Sequence, residues 1–377
     1  MRRLLAATVL IIASCAAPAP VATVAPTRAV IVPTPAAPAS QPATAAPTPA
    51  AKPKFPHGLY IVRPSLQHPG GTLEVIDGDG LLPVQVEFFG NGYDVSDDFV
   101  VADNMDNTGL ILYGADRTQR QVPVRGIYGL GRPSLSPDAK FAVVQATETP
   151  ISPTAPMPKF LADYAIELAT GAYRRLTDLP KQEFAEGREL PRWFPSGDRI
   201  LYQTNVFPNG AGSPGCDVIR IVDASSAAIL LTLNDRGPSG CFVPKLGGGA
   251  RFHAEVSLDS SLLLIPGQMQ IYDAKTLQLL GDIRAQALAG LAAAGYKLDT
   301  RFPGQGNAGT FPLDGTISPD KKTIVFDGAV EKDGTFGVLL CKINVDGTGF
   351  TVLRPPVPVE PKFSNNHNYS QVLPHWR

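Results

Sequence analysis

The chain has 377 residues, 44% hydrophobic and 18% charged, enough apolar material for a sizeable core and too much for a wholly disordered chain. Lys+Arg number 33 against 34 Asp+Glu, a formal net charge of −1, so no global field draws in nucleic acid or anionic lipid and no nucleic-acid partner is expected. Gly 36 and Pro 37 lie well above ordinary usage and favour many tight turns plus an unstructured segment over long helices.

Met1-Arg2-Arg3 followed by the apolar stretch Leu4 to Ser14 (LLAATVLIIAS) reads as an export signal. Its eleven residues make about 16 Å of helix, roughly half the hydrocarbon thickness, too short for a permanent span. Ile12-Ala13-Ser14-Cys15 is similar to the lipobox of bacterial lipoproteins. That resemblance implies a signal peptide over 1–14, cleavage before Cys15, and acyl chains on Cys15 that hold the mature chain at a membrane. Residues 16–54 then hold 14 Ala and 10 Pro in 39 positions, which cannot form a core. With the lipidated Cys15 they predict a disordered, semi-rigid tether over 15–54, extending at most ~120 Å. The expected location is extracytoplasmic, on the outer face of the cell membrane or in the periplasm or outer membrane.

From residue 55 to 377 short β-rich runs alternate with Gly, Asp, Ser and Pro turns, and one unit recurs. Leu135-Ser136-Pro137-Asp138-Ala139-Lys140 precedes Phe141 to Val144. Trp193-Phe194-Pro195-Ser196-Gly197-Asp198 precedes Arg199 to Tyr202, and Ile317-Ser318-Pro319-Asp320-Lys321-Lys322 precedes Thr323 to Phe326. Weaker copies begin at Tyr93 and Val256. Each is a strand, a tight turn and a second apolar strand. A third strand often follows, closing on Asp plus a small residue, and then a fourth, as in Ile271-Tyr272-Asp273 before Leu279-Leu280. Four strands per copy is a propeller blade.

Pro191-Arg192-Trp193-Phe194-Pro195-Ser196-Gly197, Pro319-Asp320-Lys321 and Arg175-Leu176-Thr177 resemble, in pieces, the TolB-like, WD-like β-propeller repeat. The resemblance covers about residues 58–377 and implies architecture more than activity, because such propellers range from envelope scaffolds to regulatory domains of peptidases. Leu373-Pro374-His375-Trp376 matches Leu190-Pro191-Arg192-Trp193, so the chain stops just past the innermost strand of a blade. The missing outer strands lie at Leu59–Val62, Leu73–Asp77 and Val84–Phe88. The expectation is an all-β, six-bladed propeller of four-stranded antiparallel blades, one of them stitched from both ends of the chain. Deleting the last seven residues is expected to destabilise the whole domain.

The longest segments between strands, 145–163, 204–216, 234–252, 284–314 and 327–337, all map to one rim, which makes that rim the expected binding face. Residues 284–295 read as a short helix capping it, ended by Gly295. Cys216 and Cys241 fall on loops of this rim and, in an exported protein, are expected to form a disulfide, with Cys341 a buried small hydrophobe.

No catalytic residues, metal or cofactor are expected. The chain lacks G-x-S-x-G, H-E-x-x-H, C-x-x-C and Walker sequences. Gly304-Gln305-Gly306-Asn307-Ala308-Gly309 follows no strand and reads as a loop, and Asp77-Gly78-Asp79-Gly80 reads as a hairpin turn rather than a calcium loop. Alignment on the inner strand places Ser134, Arg192, Glu255, Thr316 and His375 along the central channel, with Arg192, Glu255 and His375 near its mouth as candidate ligand contacts. The predicted function is a membrane-anchored lipoprotein whose propeller binds or scaffolds an envelope protein or peptide through the long-loop rim. The alternative is a propeller hydrolase, or a protein binding a small ligand or glycan, at the channel mouth.

Overall fold

The recurring Ser-x-Asp turn is held by its own side chains. Ser136 Oγ donates to Asp138 Oδ1 at 2.7 Å and accepts Phe141 N–H at 3.0 Å. Ser257 does the same with Asp259 (2.7 Å) and Leu262 (2.9 Å), and Ser318 with Asp320 (2.7 Å) and Thr323 (2.9 Å). Each Asp also accepts a backbone N–H two residues on, from Lys140, Ser261 and Lys322. This satisfies the turn without help from elsewhere. The residue after the Asp position is left-handed: Ala139 (φ 52°), Ser260 (φ 61°) and Lys321 (φ 60°), with glycine only at Gly197 (φ 83°). An L-residue pays for that conformation. Ala139→Gly should therefore raise stability by about 0.5–1 kcal/mol, read as a higher urea midpoint at unchanged slope.

The structure, a computed structural model, describes residues 53–64, 71–77, 80–88, 92–104, 109–150, 162–176, 191–206, 216–233, 254–298, 314–358 and 374–377. Six antiparallel sheets carry the fold. From the innermost strand outward, blade 1 is His375–Trp376, Leu59–Pro64, Gly71–Asp77 and Gly80–Phe88. Blade 2 is Tyr93–Val95, Phe99–Asp103, Gly109–Gly114 and Gln119–Pro123. Blade 3 is Ser134–Leu135, Phe141–Ala146, Ala162–Glu167 and Tyr173–Arg175. Blade 4 is Arg192–Trp193, Arg199–Val206, Cys216–Asp223 and Ile229–Leu233. Blade 5 is Glu255–Val256, Leu262–Ile265, Gln270–Asp273 and Leu279–Asp282. Blade 6 is Gly315–Ile317, Thr323–Lys332, Thr335–Asn344 and Thr351–Pro358, with Lys297–Leu298 added beside the far end of its second strand. The chain is a six-bladed β-propeller.

The core is divided by the gaps between blades. One apolar cluster fills each: Tyr60, Val75, Tyr93 and Val100 between blades 1 and 2; Leu112, Ile127, Val144 and Tyr164 between 2 and 3; and so on round the ring. Basic side chains stitch the rims of neighbours together. Arg120 donates to Leu168 O at 2.9 Å, Arg174 to Ser225 O at 3.2 Å, and Arg199 to Ala274 O at 3.0 Å. Arg354 of blade 6 reaches Glu74 of blade 1 at 2.5 Å. The ring closes where expected: Leu59 pairs Trp376 and Tyr60 pairs His375.

Two details depart from the sequence reading. Residues 327–337 are not a loop, because the second and third strands of blade 6 run through them and turn at Asp333 (φ 52°) and Gly334 (φ 75°). The helix, Arg284–Ala293, does not cap the long-loop rim. It packs between blades 5 and 6 through buried Ala287 and Leu291. Gln286 lies against Gly347 and Gly290 against the Phe350 ring, in the turn joining the third and fourth strands of blade 6. A helix face of alanines and glycine allows this close approach. Gly290→Val should cost about 1–3 kcal/mol by driving a methyl into Phe350, measurable as a lowered denaturation midpoint. Cys341 is buried and free inside its strand, and burial pushes its thiol pKa up. The signal, Cys15, the tether to residue 52, Cys241, the side chain of Cys216 and the 304–309 loop lie outside the described residues.

Candidate functional site

Register defines one position in each blade that points along the axis. Asp94, Ser134, Arg192, Glu255, Thr316 and His375 pair with Val101, Val143, Leu201, Leu264, Val325 and Tyr60 of the neighbouring strands. Each is the penultimate residue before the first tight turn or its equivalent. All six line one bowl of about 470 Å³. Its remaining wall comes from the first turns of the blades, so the bowl opens on the turn rim, opposite the long loops. The long-loop rim, expected to carry the binding face, falls largely outside the described residues.

The sequence expectation covers five of these six positions; the structure adds Asp94. The Tyr93-Asp94-Val95-Ser96 copy places it two residues before Ser96, as Ser134 stands before Ser136, and that signal was sufficient to find it. The ring therefore contains two carboxylates rather than one.

The six side chains are joined in pairs and to the next blade. Arg192 Nη2 lies 2.8 Å from Glu255 Oε1, both nearly buried, and His375 Nε2 lies 3.1 Å from Asp94 Oδ1. Asp94 Oδ2 accepts Leu135 N–H at 2.7 Å, Ser134 Oγ accepts Trp193 N–H at 3.0 Å, and Thr316 Oγ1 accepts Trp376 N–H at 3.4 Å. The rule is the same each time. A polar axial residue takes the backbone N–H that follows the axial residue of the next blade, so a group lining the bowl also latches two inner strands.

Burial by itself would raise the Asp94 carboxyl pKa, but His375, Arg192 and the Leu135 N–H outweigh it and hold it below the usual carboxylate value. A carboxyl depressed in the folded state stabilises at pH above its unfolded value and loses that contribution as pH falls through the folded value. Acid should therefore loosen the bowl from about pH 4 downward. Asp94→Asn should be less stable than wild type at neutral pH and lose less on acidification. Urea midpoints at several pH values would show this as a flatter acid limb.

One layer deeper, Arg132 and Asp314 stand two residues before Ser134 and Thr316. Blades 3 and 6 face each other across a six-membered ring, and the two side chains meet there through two hydrogen bonds of 3.1 and 3.2 Å. Burial opposes the charge on Arg132, and Asp314 more than restores it. The Arg132 stem lies over Gly92, where any side chain would collide with it. The pair crosses the axis beneath the ring, a floor one layer below the residues that line the bowl itself. Among the described residues no three His, Cys, Asp or Glu side chains converge as a metal-ligand set.

No protein-family model and no curated protein matches this chain. Among solved structures it is similar to a puromycin-hydrolyzing peptidase of Mycobacterium tuberculosis, at 15% identity and TM-score 0.43 over 81% of this chain and 53% of that one. A puromycin hydrolase is similar at 14% identity and TM-score 0.46 over 82% and 48%. An auxiliary nutrient binding protein from Bacteroides thetaiotaomicron is similar at 13% and 0.38 over 70% and 57%. The chain spans about half the length of these proteins. At such values the likeness says nothing of activity or ligand.

Proposed function

We propose that this chain is a lipid-anchored, extracytoplasmic β-propeller with TolB-like repeats that binds its ligand at the axial mouth on the turn rim. The observation that supports the reading is the bowl, to which every blade contributes one axial side chain. Recognition sites are concave, pre-formed and furnished with a few converging polar groups, and this bowl has that form. The ring is arranged for holding. The Ser134 and Thr316 hydroxyls are engaged by backbone N–H groups of the next blades, and His375 is turned onto Asp94. A hydrolase would instead present an activated hydroxyl or water to an oriented base. The envelope protein or peptide proposed for the long-loop rim belongs to the same reading, as a second contact on the opposite side.

Two measurements test it. Cys15→Ala should move the chain from the membrane fraction to the soluble one, and an unchanged distribution would remove the anchor. Leu258 is exposed at the lip of the bowl, so Leu258→Trp narrows the entrance without touching the core. Native mass spectrometry of the full chain, equilibrated with small-molecule extract, should show an adduct that Leu258→Trp loses. An adduct indifferent to that change would place the ligand elsewhere.

A further inference from the structure

Taken in blade order, the axial ring reads His375, Asp94, Ser134, Arg192, Glu255, Thr316. That sequence is nitrogen donor, carboxylate, hydroxyl, and then the same three kinds again. Because blades three apart face each other, each kind stands opposite its own: His375 across from Arg192, Asp94 from Glu255, Ser134 from Thr316. A ligand on the axis thus meets two like donor–carboxylate pairs on opposite walls.

Building on the mouth as the binding site, we infer that the bowl takes a neutral saccharide, the terminal one or two units of a glycan, through vicinal hydroxyls. A carboxylate beside a basic nitrogen matches two adjacent hydroxyls. One O–H donates to the carboxylate while its neighbour's oxygen accepts from the N–H donor, and every hydroxyl can do both. Arg192 carries five N–H donors, and among the described residues its ion-pair contact is Glu255 through Nη2. A saccharide bridges such a pair without parting it. A charged ligand would have to draw one partner away and leave the other nearly buried and uncompensated, which is costly.

Two further features favour a sugar end. The volume of about 470 Å³ falls within the ~300–1,000 Å³ of small-molecule sites. The Arg132–Asp314 pair lies across the axis beneath the ring, where it stands in the way of a polymer threading the channel and favours a chain end.

The test uses full-length protein in detergent, titrated with glucose, galactose, N-acetylglucosamine and their β-linked disaccharides. Intrinsic tryptophan fluorescence and calorimetry give Kd, and the His375 C2–H resonance of the wild-type chain is followed in parallel. Saturable binding of at least one saccharide that moves the His375 resonance, weakened at least ~10-fold in Glu255→Gln, is the expected result. The wild-type resonance reports on the bowl even if the variant folds poorly. Binding that leaves His375 unmoved, or that is unaffected by Glu255→Gln, overturns the inference. If no saccharide binds but a tri-lysine or tri-glutamate peptide does and shifts His375, the ligand class is wrong while the mouth stands. If none of these probes moves His375 and Leu258→Trp leaves the mass-spectrometric adduct in place, both readings fall.

Discussion

Deletion of the last seven residues should leave a chain without a single cooperative unfolding transition. Of these, 374–377 are described, and they supply the whole inner strand of blade 1. Arg377 exchanges two backbone hydrogen bonds with Gly58, of 3.0 and 3.1 Å, and its guanidinium donates to Phe55 O at 3.0 Å. Trp376 N–H donates to Thr316, and the Trp376 ring packs against Leu59, Ile61 and Val325 at the gap between blades 6 and 1. With about 1 kcal/mol for each of several hydrogen bonds and 2–3 kcal/mol for the indole, the loss is of order 6–9 kcal/mol. The whole stability of a domain is about 5–15 kcal/mol. The exposed inner edge of Leu59–Pro64 would also invite pairing with other chains. Trp193 remains in blade 4 as a fluorescent reporter on the far side of the ring. A single urea transition near the wild-type midpoint in the truncated chain would show that the ring does not depend on its seam.

Arg132→Ala and Asp314→Ala should each cost about 3–5 kcal/mol, because either change strands a charge that is almost wholly shielded from water. The pair itself is expected to contribute much less than that. The double change Arg132→Met with Asp314→Leu should recover most of the loss, since apolar side chains of similar length fill the floor without an ionic group. Urea midpoints of the four species in a thermodynamic cycle give the coupling directly. Additive losses would mean that the two side chains do not act as a unit, and the floor of the bowl would have to be reassigned. The single alanine variants also open the axis, so the saccharide of the previous section should then bind less selectively toward chain ends.

The architecture was legible because the turn chemistry is local and repeats. Ser136, Ser257 and Ser318 with Asp138, Asp259 and Asp320 announce the same hairpin, and the Leu-Pro-x-Trp match between 190–193 and 373–376 gave away the closing strand. The ring of axial residues followed from the same alignment, except where the weak Tyr93 copy hid Asp94. What the sequence concealed was whatever depends on distance between blades. No pattern in the chain pairs Arg132 with Asp314, which are 182 residues apart and meet only because blades 3 and 6 face each other. The sequence locates the helix along the chain but not the side on which it packs. Its short run of Ala and Gly indicates close packing without saying against what, and Phe350 is far away in sequence. In sequence, Gly328, Asp333 and Gly334 break up the 327–337 segment and obscure its strands. In the structure Gly328 pairs with Leu339 within a long ladder, and the turn takes only the later two.

The segment that leads into the propeller meets the ring at the lip of the bowl. Phe55 N–H donates to Asp97 O at 2.8 Å, Lys54 pairs with the Asp97 carboxylate at 3.0 Å, and Arg377 reaches the same carboxylate. Any pull transmitted along the polypeptide from its leading end is thus borne first by the Asp97 corner of blade 2, before it can peel Leu59–Pro64 away from its short partner. The contacts at Asp97 therefore lie upstream, along the chain, of the two-residue join that closes the circle.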